Sequence, residues 1–308
     1  MAIKRIEVKD FLVFKGEFAA DFCHGVNVLI GGNGTGKTTI MRCLYELKGL
    51  STHTGGVFFE PSPMSDLSNY KDVAFQRNWG NAFTEGPINN YVYVPEKDIL
   101  EHAKGLLSFI KQKQTGFSAI YEDVLITAQD VPTQEQTEIQ KSVGQKIASI
   151  IGGIVHWEQG DGMFYTIRTD GIRIPFAYEA SGFKKLGYLG LLIASGQLES
   201  GSVLFWDEPE NSLNPELIPE LVNILLELSR NSVQIFIATH SELLASYFAV
   251  SRKKGDHMKF ISLYTDNDSG KIKSDMDDRF DLLEPNSLTA EPVKLYELQI
   301  VKGLNGNA

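Results

Sequence analysis

Two cysteines, Cys23 and Cys43, are all that the 308 residues contain. A disulfide framework is therefore not expected, and a reducing cytoplasm is the expected compartment. Long apolar runs are missing as well: none comes near the roughly 20 residues that a bilayer-spanning helix needs. The N-terminus, "MAIKRIEVKDF", alternates polar and apolar residues instead of carrying a signal-peptide core. Basic charge is in deficit, with 29 Lys and Arg against 39 Asp and Glu and a net charge of −10. Coating nucleic acid takes clustered cations, so this balance argues against a chain that does so by itself, while leaving room for a local patch or a basic partner. Internal repeats and low-complexity tracts are lacking. His24, His53, His102, His156 and His257 show no metal-ligand spacing, which leaves no zinc site to propose. No Ser-His-Asp or Cys-His order is recognisable.

What is present is an ordinary globular composition, 43% hydrophobic and 22% charged. "IKRIEVKDFLVFKGEFAADF" alternates over two stretches and predicts an antiparallel β-part. "GVNVLIGG" is a continuous apolar run, as expected of a central strand. Residues 51–90 are rich in Gly, Ser, Pro and Asn and read as irregular. A strand at Tyr91 is stopped by Pro95, and helical segments follow from Asp98 to Gly152, the last with Thr133 as its cap. A hairpin turns at Thr169-Asp170-Gly171. A helix begins at Ser181, and two more apolar strands, "SVLFW" and "SVQIFIATHS", flank the amphipathic "NPELIPELVNILLELSR". A late hairpin at "TDNDSG" and a short helix complete the pattern. Apolar strands alternating with helices predict an α/β fold with a mixed, mostly parallel sheet.

The chemistry begins at "NVLIGGNGTGKTTIMRCLYE", which reads as strand, glycine-rich turn and helix. Gly31, Gly36, Lys37 and Thr38 fit the phosphate-binding spacing G-x-x-x-x-G-K-[ST] in the strand–turn–helix context that the motif requires. Glycines let backbone N–H groups turn toward a β-phosphate, and the helix N-terminus adds partial positive charge. Lys37 is placed to reach β- and γ-phosphate oxygens, and the Thr38 hydroxyl to ligate Mg²⁺. Asn33, Gly34, Thr35 and Thr39 complete the candidate nucleotide loop. The bland reading, a flexible turn with a chance Lys-Thr, fits that context poorly.

"VLFWDEPENSLNP" sets Asp207 and Glu208 at the mouth of an apolar strand. Asp207 is the expected Mg²⁺ acid and Glu208 the expected general base for an attacking water. A solvated turn would explain the same pair in isolation. His240 ends the next apolar strand, 33 positions after Asp207. Parallel topology should return it beside the acids, facing a γ-phosphate. Lys184 and Lys185 read as either near the nucleotide or on a solvated helix face, the latter slightly favoured. "SRKKGDH", at 251–257, reads as a solvated loop before a DNA patch.

Taken together, these residues resemble the ATP-binding-cassette ATPase superfamily. Ser181-Gly182 in "EASGFKKLGYL", 26 positions before Asp207, corresponds to that family's signature at a helix start. "NSLN", Asn211 to Asn214, corresponds to its D-loop, with Asn214 where Asp or His is more usual, and His240 to its switch histidine. The match covers Ile3 to Ser241 and continues into the C-terminal strands. The N-terminal wording, and a hairpin running straight into the signature, are more similar to the RecF, structural-maintenance-of-chromosomes and OLD-type branch. "ASGFKKL" and "DEPE…L-x-P" resemble compact bacterial AAA-15/AAA-21 type ATPases, many of which act in DNA repair or phage defence beside a nuclease. Two departures stand out. "YVYVPEKD" has Glu96 or Lys97 where a glutamine is expected, and the chain after the ATPase core offers too few residues for a nuclease domain.

The resemblance implies an ABC-type head over residues 1–308, with 51–160 as an irregular and helical insertion acting as a lid or partner-binding region. It implies ATP and Mg²⁺ as cofactors. It implies a homodimer in which Ser181-Gly182 and Asn214 of one copy reach ATP held by the Lys37 loop of the other. It further implies a separate effector and no membrane; whether DNA or RNA is bound stays open, since charge does not reveal it. Assemblies above two copies stay open. Two other functions also stay open: the nucleotide-binding subunit of an ABC transporter, and a P-loop kinase for a small molecule.

Overall fold

The computed structural model describes residues 2–49, 57–59, 79–85, 87–111, 119–130, 132–133 and 135–304. The chain opens with β1 (Ala2–Phe11) and β2 (Phe14–Asp21), then runs through β3 (Val26–Gly31) into α1 (Lys37–Tyr45). β4 (Val57–Phe59), β5 (Trp79–Glu85) and β6 (Tyr91–Val94) precede the helices α2 (Ala103–Lys111), α3 (Ala119–Ala128) and α4 (Glu138–Ile151). β7 (Gly153–Glu158), β8 (Met163–Arg168) and β9 (Arg173–Pro175) lead to α5 (Ser181–Ala194). The second half adds β10 (Val203–Asp207), α6 (Ile218–Arg230), β11 (Gln234–Ala238) and α7 (Glu242–Ser251). β12 (Met258–Thr265), β13 (Ile272–Asp277) and α8 (Ser287–Leu304) follow.

Six strands form the main sheet in the order β13-β12-β3-β11-β10-β6. Every pairing in it is parallel except β12 with β13. All residues of β3, β10 and β11 are buried, which is what a parallel sheet covered on both faces demands. The order explains the site. β3, β11, β10 and β6 run side by side in one direction, so the loops after them gather at a single edge.

A second, antiparallel sheet has the order β2-β1-β5-β4. It corrects the reading of residues 51–90 as irregular, since Val57–Phe59 and Trp79–Glu85 are strands within that stretch. Residues 50–56 and 60–78 lie outside the described residues. The weak composition signal misled because β5 gains its hydrogen bonds from β1, a partner distant in sequence. The predicted hairpin at 169–171 is the β8–β9 turn, and β7 joins it to make a three-stranded sheet. Thr133 is not the cap of α4; Thr137 is, with its side chain accepting from Gln140 N and Gln140 returning a bond to Thr137 N, a capping box. Thr133 instead binds the Ala194 carbonyl. The closing helix α8 is 18 residues long, not short. Among the described residues no helix is long and apolar enough to cross a membrane.

The two main sheets are joined through one buried side chain. Gln234, at the start of β11, accepts from Ile3 N at 2.7 Å and donates to Ile3 O at 2.8 Å and to Cys23 O at 2.7 Å. The Cys23 carbonyl is shared with the Asn27 side-chain amide at 2.9 Å, while the two Ile3 groups are buried and rely on Gln234. Gln234→Leu should lower unfolding free energy by about 2–3 kcal/mol, because it removes the side-chain partner of the buried Ile3 N–H and carbonyl while keeping the volume. Urea denaturation of the variant against the parent measures this directly.

Candidate functional site

The glycine-rich loop between β3 and α1 has the geometry of a phosphate cradle. A Cβ on Gly31 would lie 2.2 Å from the Leu263 carbonyl oxygen of neighbouring β12, and its φ of 147° is left-handed. Gly34 and Gly36 are also left-handed, and Gly36 is the N-cap of α1. Asn33 and Gly34 are exposed at the tip of the loop. Thr35 is buried and donates to the Gly32 carbonyl at 2.9 Å. Lys37 lies inside the loop, donating to the carbonyls of Gly31 at 2.8 Å and Gly32 at 3.1 Å. Burial pushes its ammonium pKa down, while Glu208, Asp207 and Glu210 pull it back up.

Thr38 follows at the first turn of α1, and its hydroxyl donates to Asp207 Oδ1 at 3.2 Å. Asp207 Oδ2 lies 3.4 Å from the Tyr93 hydroxyl on adjacent β6. Burial raises the Asp207 pKa, opposed by the Thr38 hydroxyl and by Arg42. A buried carboxylate beside a hydroxyl is an all-oxygen donor pair, which suits a hard cation such as Mg²⁺. Among the described residues no cluster of three or more His, Cys, Asp or Glu offers a complete metal cage. An ion at Thr38 and Asp207 would therefore draw its remaining ligands from phosphate and water.

Glu208 departs from regular backbone. Its φ is +48°, uncommon for a residue with a side chain, and such strain persists only where neighbours hold it. Two groups do. Glu208 N donates to Ala238 O at 2.9 Å, and Lys185 Nζ donates to the Glu208 carbonyl at 2.7 Å. The Glu208 carboxyl is partly exposed and has a raised pKa, first from burial and then from Glu96, Asp207 and Glu210. His240 Nε2 lies 3.5 Å from Glu208 Oε1. Burial and then Lys37 lower the histidine pKa, favouring the neutral ring. Glu210 fixes the backbone there by accepting from the Thr239 hydroxyl at 2.6 Å and from His240 N at 3.1 Å.

β6 brings Glu96 to the same edge, where Oε1 accepts from Asn211 Nδ2 at 3.2 Å. Glu96, not Lys97, therefore meets the D-loop from the position where a glutamine was expected. Ser181 is exposed and is the first residue of α5; Ala180 holds the N-cap position and no side chain caps the helix. A simple N-cap role for Ser181 is thereby excluded. Gly182 packs directly on the D-loop: an added Cβ would sit 2.9 Å from Leu213 Cδ1 and 3.1 Å from Ser212 O. Asn214 turns away from the acids and accepts from Glu216 N at 3.3 Å, capping the short turn before α6.

Lys37, Thr38, Asp207, Glu208 and His240 thus share one edge of the sheet, as the sequence predicted. Gly182 meets the segment after the acids through Ser212 and Leu213, and Asn214 is the next residue of that segment. The solvated reading of Lys184 and Lys185 is wrong, since both are buried. Lys184 pairs with Glu101. Lys185, Glu210 and Tyr93 were missed. A signal for Lys185 was available: α5 is apolar on nearly every face, so a lysine next to the signature had no solvent to point into. The Arg252 of the 251–257 loop pairs with Asp278, which takes one cation from any basic patch there.

Residues 81–246 match the model of a family described as "AAA domain, putative AbiEii toxin, Type IV TA system". The chain is 24% identical over 148 residues to the structural maintenance of chromosomes protein 3 homolog of Plasmodium falciparum (isolate 3D7), a match covering 47% of this chain and 10% of that protein. It is 21% identical over 248 residues to the glutamine transport ATP-binding protein GlnQ of Geobacillus stearothermophilus, covering 80% of this chain and 77% of that one. A solved Smc head domain with an extended coiled coil, bound to the C-terminal domain of ScpA derived from Pyrococcus furiosus, superposes with a TM-score of 0.51. It covers 97% of this chain and 99% of the other at 11% identity, which shows a common fold.

Replacing Lys185 by methionine removes the hold on the Glu208 carbonyl and keeps most of the side-chain volume. Turnover of ATP should fall about tenfold, with nucleotide affinity unchanged. Steady-state hydrolysis together with equilibrium binding of a fluorescent nucleotide separates the two effects.

Proposed function

The chain belongs to the AAA-domain family that matches residues 81–246, and from that premise we propose a mechanism for it as an ABC-type ATPase. It is a head that closes as a dimer around two ATP molecules and so gates a separate effector. The observation that carries the catalytic part is the convergence of loops after β3, β6, β10 and β11, with Thr38 Oγ1 at 3.2 Å from Asp207 Oδ1 and His240 Nε2 at 3.5 Å from Glu208 Oε1.

Each residue has a separable task. Lys37 exchanges the Gly31 and Gly32 carbonyls for β- and γ-phosphate oxygens, and the loop N–H groups line the β-phosphate. Thr38 and Asp207 would hold Mg²⁺, which would supply positive charge to neutralise the phosphates. Glu208 accepts a proton from the water whose oxygen attacks the γ-phosphorus, while the bond to the β,γ-bridging oxygen breaks. Neutral His240 donates a hydrogen bond to a γ-phosphate oxygen. Glu96 and Asn211 orient the water side of the site.

The dimer reading rests on Ser181. An exposed hydroxyl at a helix N-terminus that no side chain caps is suited to an anion. A γ-phosphate held by a second copy satisfies it. Because ATP bridges the two copies only in the closed state, binding favours closure and hydrolysis releases it. The family description supports a toxin setting for the gated effector; we extend this to a toxin or nuclease acting in phage defence or DNA repair, with the cytoplasm as its compartment. The Smc head solved with ScpA bound supports a second polypeptide seated on such a head. Residues 51–160 are the proposed docking region. The GlnQ match favours a second reading, the nucleotide-binding subunit of a membrane transporter. Glu96 in place of the glutamine weighs against it, and stable co-purification with a membrane permease would establish it.

In Glu208→Gln, MgATP should stay bound uncleaved and double the mass of the nucleotide-free particle, whatever that starting mass is. Adding Ser181→Arg should remove the doubling while leaving ATP affinity intact. Sedimentation velocity with and without MgATP decides the matter. An unchanged mass in saturating ATP would overturn the sandwich.

A further inference from the structure

Leu288 anchors α8 in the core, and from Ala290 to Lys302 every residue is exposed. Val293, Leu295, Tyr296, Leu298, Ile300 and Val301 lie between 45% and 65% exposed on that stretch. Pro292, inside the helix, cannot donate to the Leu288 carbonyl, so the distal turns lose one of the bonds tying them to the anchored turn. A helix of this length, apolar on several sides and touching nothing, is marginal in water. It needs a covering partner.

The sequence of α8 says which. Leu288, Glu291, Leu295, Leu298 and Lys302 follow one another in alternating steps of three and four, the spacing of a two-helix seam. Laid antiparallel against the same helix of a second copy, about a two-fold axis between positions 296 and 297, the seam matches itself. Leu295 meets Leu298 of the second copy, and Glu291 meets Lys302 of the second copy, each pair occurring twice. Parallel pairing would instead set Glu291 against Glu291 and Lys302 against Lys302, opposing like charges along the seam. Charge thus selects the antiparallel arrangement, which closes at two copies and leaves no free seam for further growth.

We propose that the exposed stretch of α8 is a self-association helix that pairs antiparallel with α8 of a second copy of this chain. The contact needs no nucleotide and does not involve Ser181, so it stands apart from the ATP sandwich.

The test is sedimentation equilibrium of the full chain without nucleotide. The expected result is a dimer that Leu295→Glu/Leu298→Glu converts to a monomer with unchanged circular dichroism. Glu291→Lys and Lys302→Glu should each weaken association about tenfold, because symmetry repeats every reversed pair twice. Combining the two reversals should restore the parental constant. These exposed charges can be changed without threatening the fold, so they decide the question even if the leucine variant aggregates. A monomeric parent, a dimer indifferent to the leucine changes, or a double reversal as weak as the singles would overturn the proposal. None of these outcomes depends on the mass doubling in ATP that tests the sandwich.

Discussion

Four carboxylates, Glu96, Asp207, Glu208 and Glu210, crowd around two buried ammoniums, Lys37 and Lys185, at the edge where the parallel strands end. That imbalance governs the site. Lys37 is held within the loop by carbonyls, Asp207 and Glu208 have raised pKa values, and Glu210 is spent on the backbone of His240. Such a cluster is costly as it stands. A divalent cation and a triphosphate together supply the missing charges and the missing acceptors: the ion answers the acids, and the phosphates answer Lys37 and the loop N–H groups. The site is therefore complementary to the metal–nucleotide pair rather than to either alone.

The Lys185 contact extends this logic to geometry. Glu208 occupies a left-handed backbone conformation at the end of a buried strand, and a general base is useful only if its carboxylate returns to the same place each cycle. The helix that presents Ser181 at its tip is the same helix that supplies Lys185, one turn further in. In the proposed dimer, a phosphate of the opposite site and the acid of the home site would thus be contacted by one rigid element. Gly182 tightens the arrangement by letting that helix rest on Ser212 and Leu213 with no side chain between.

The strands, the cradle and the acid pair were legible in the sequence because each is local. Gly31 to Thr38 carries its own spacing, and Asp207-Glu208 stands after four residues that are apolar without a break. The place of His240 followed from parallel topology, which returns β11 beside β10. The failures share a cause of the opposite kind. β5 is a strand because β1 pairs with it, Lys185 is buried because an apolar helix is enclosed on several sides, and Glu210 serves a histidine thirty residues away. Thr133 lost the cap to Thr137 although each has a glutamine three places on, Gln136 and Gln140; what sets Gln140 apart is its donation to the distant Ile193 carbonyl. Composition marked residues 51–90 as formless because long-range pairing leaves no periodic trace in one strand alone.

Gln234 and His240 lie near opposite ends of the same short strand. Gln234 grips Ile3 and Cys23 at the root of the N-terminal sheet, and five residues later the backbone emerges at Thr239 beneath the candidate switch histidine. An extended strand of that length is a stiff rod of about 17 Å. Strain imposed on the outer sheet by a bound macromolecule would arrive at the imidazole as a direct push or pull, with no hinge on the way to absorb it.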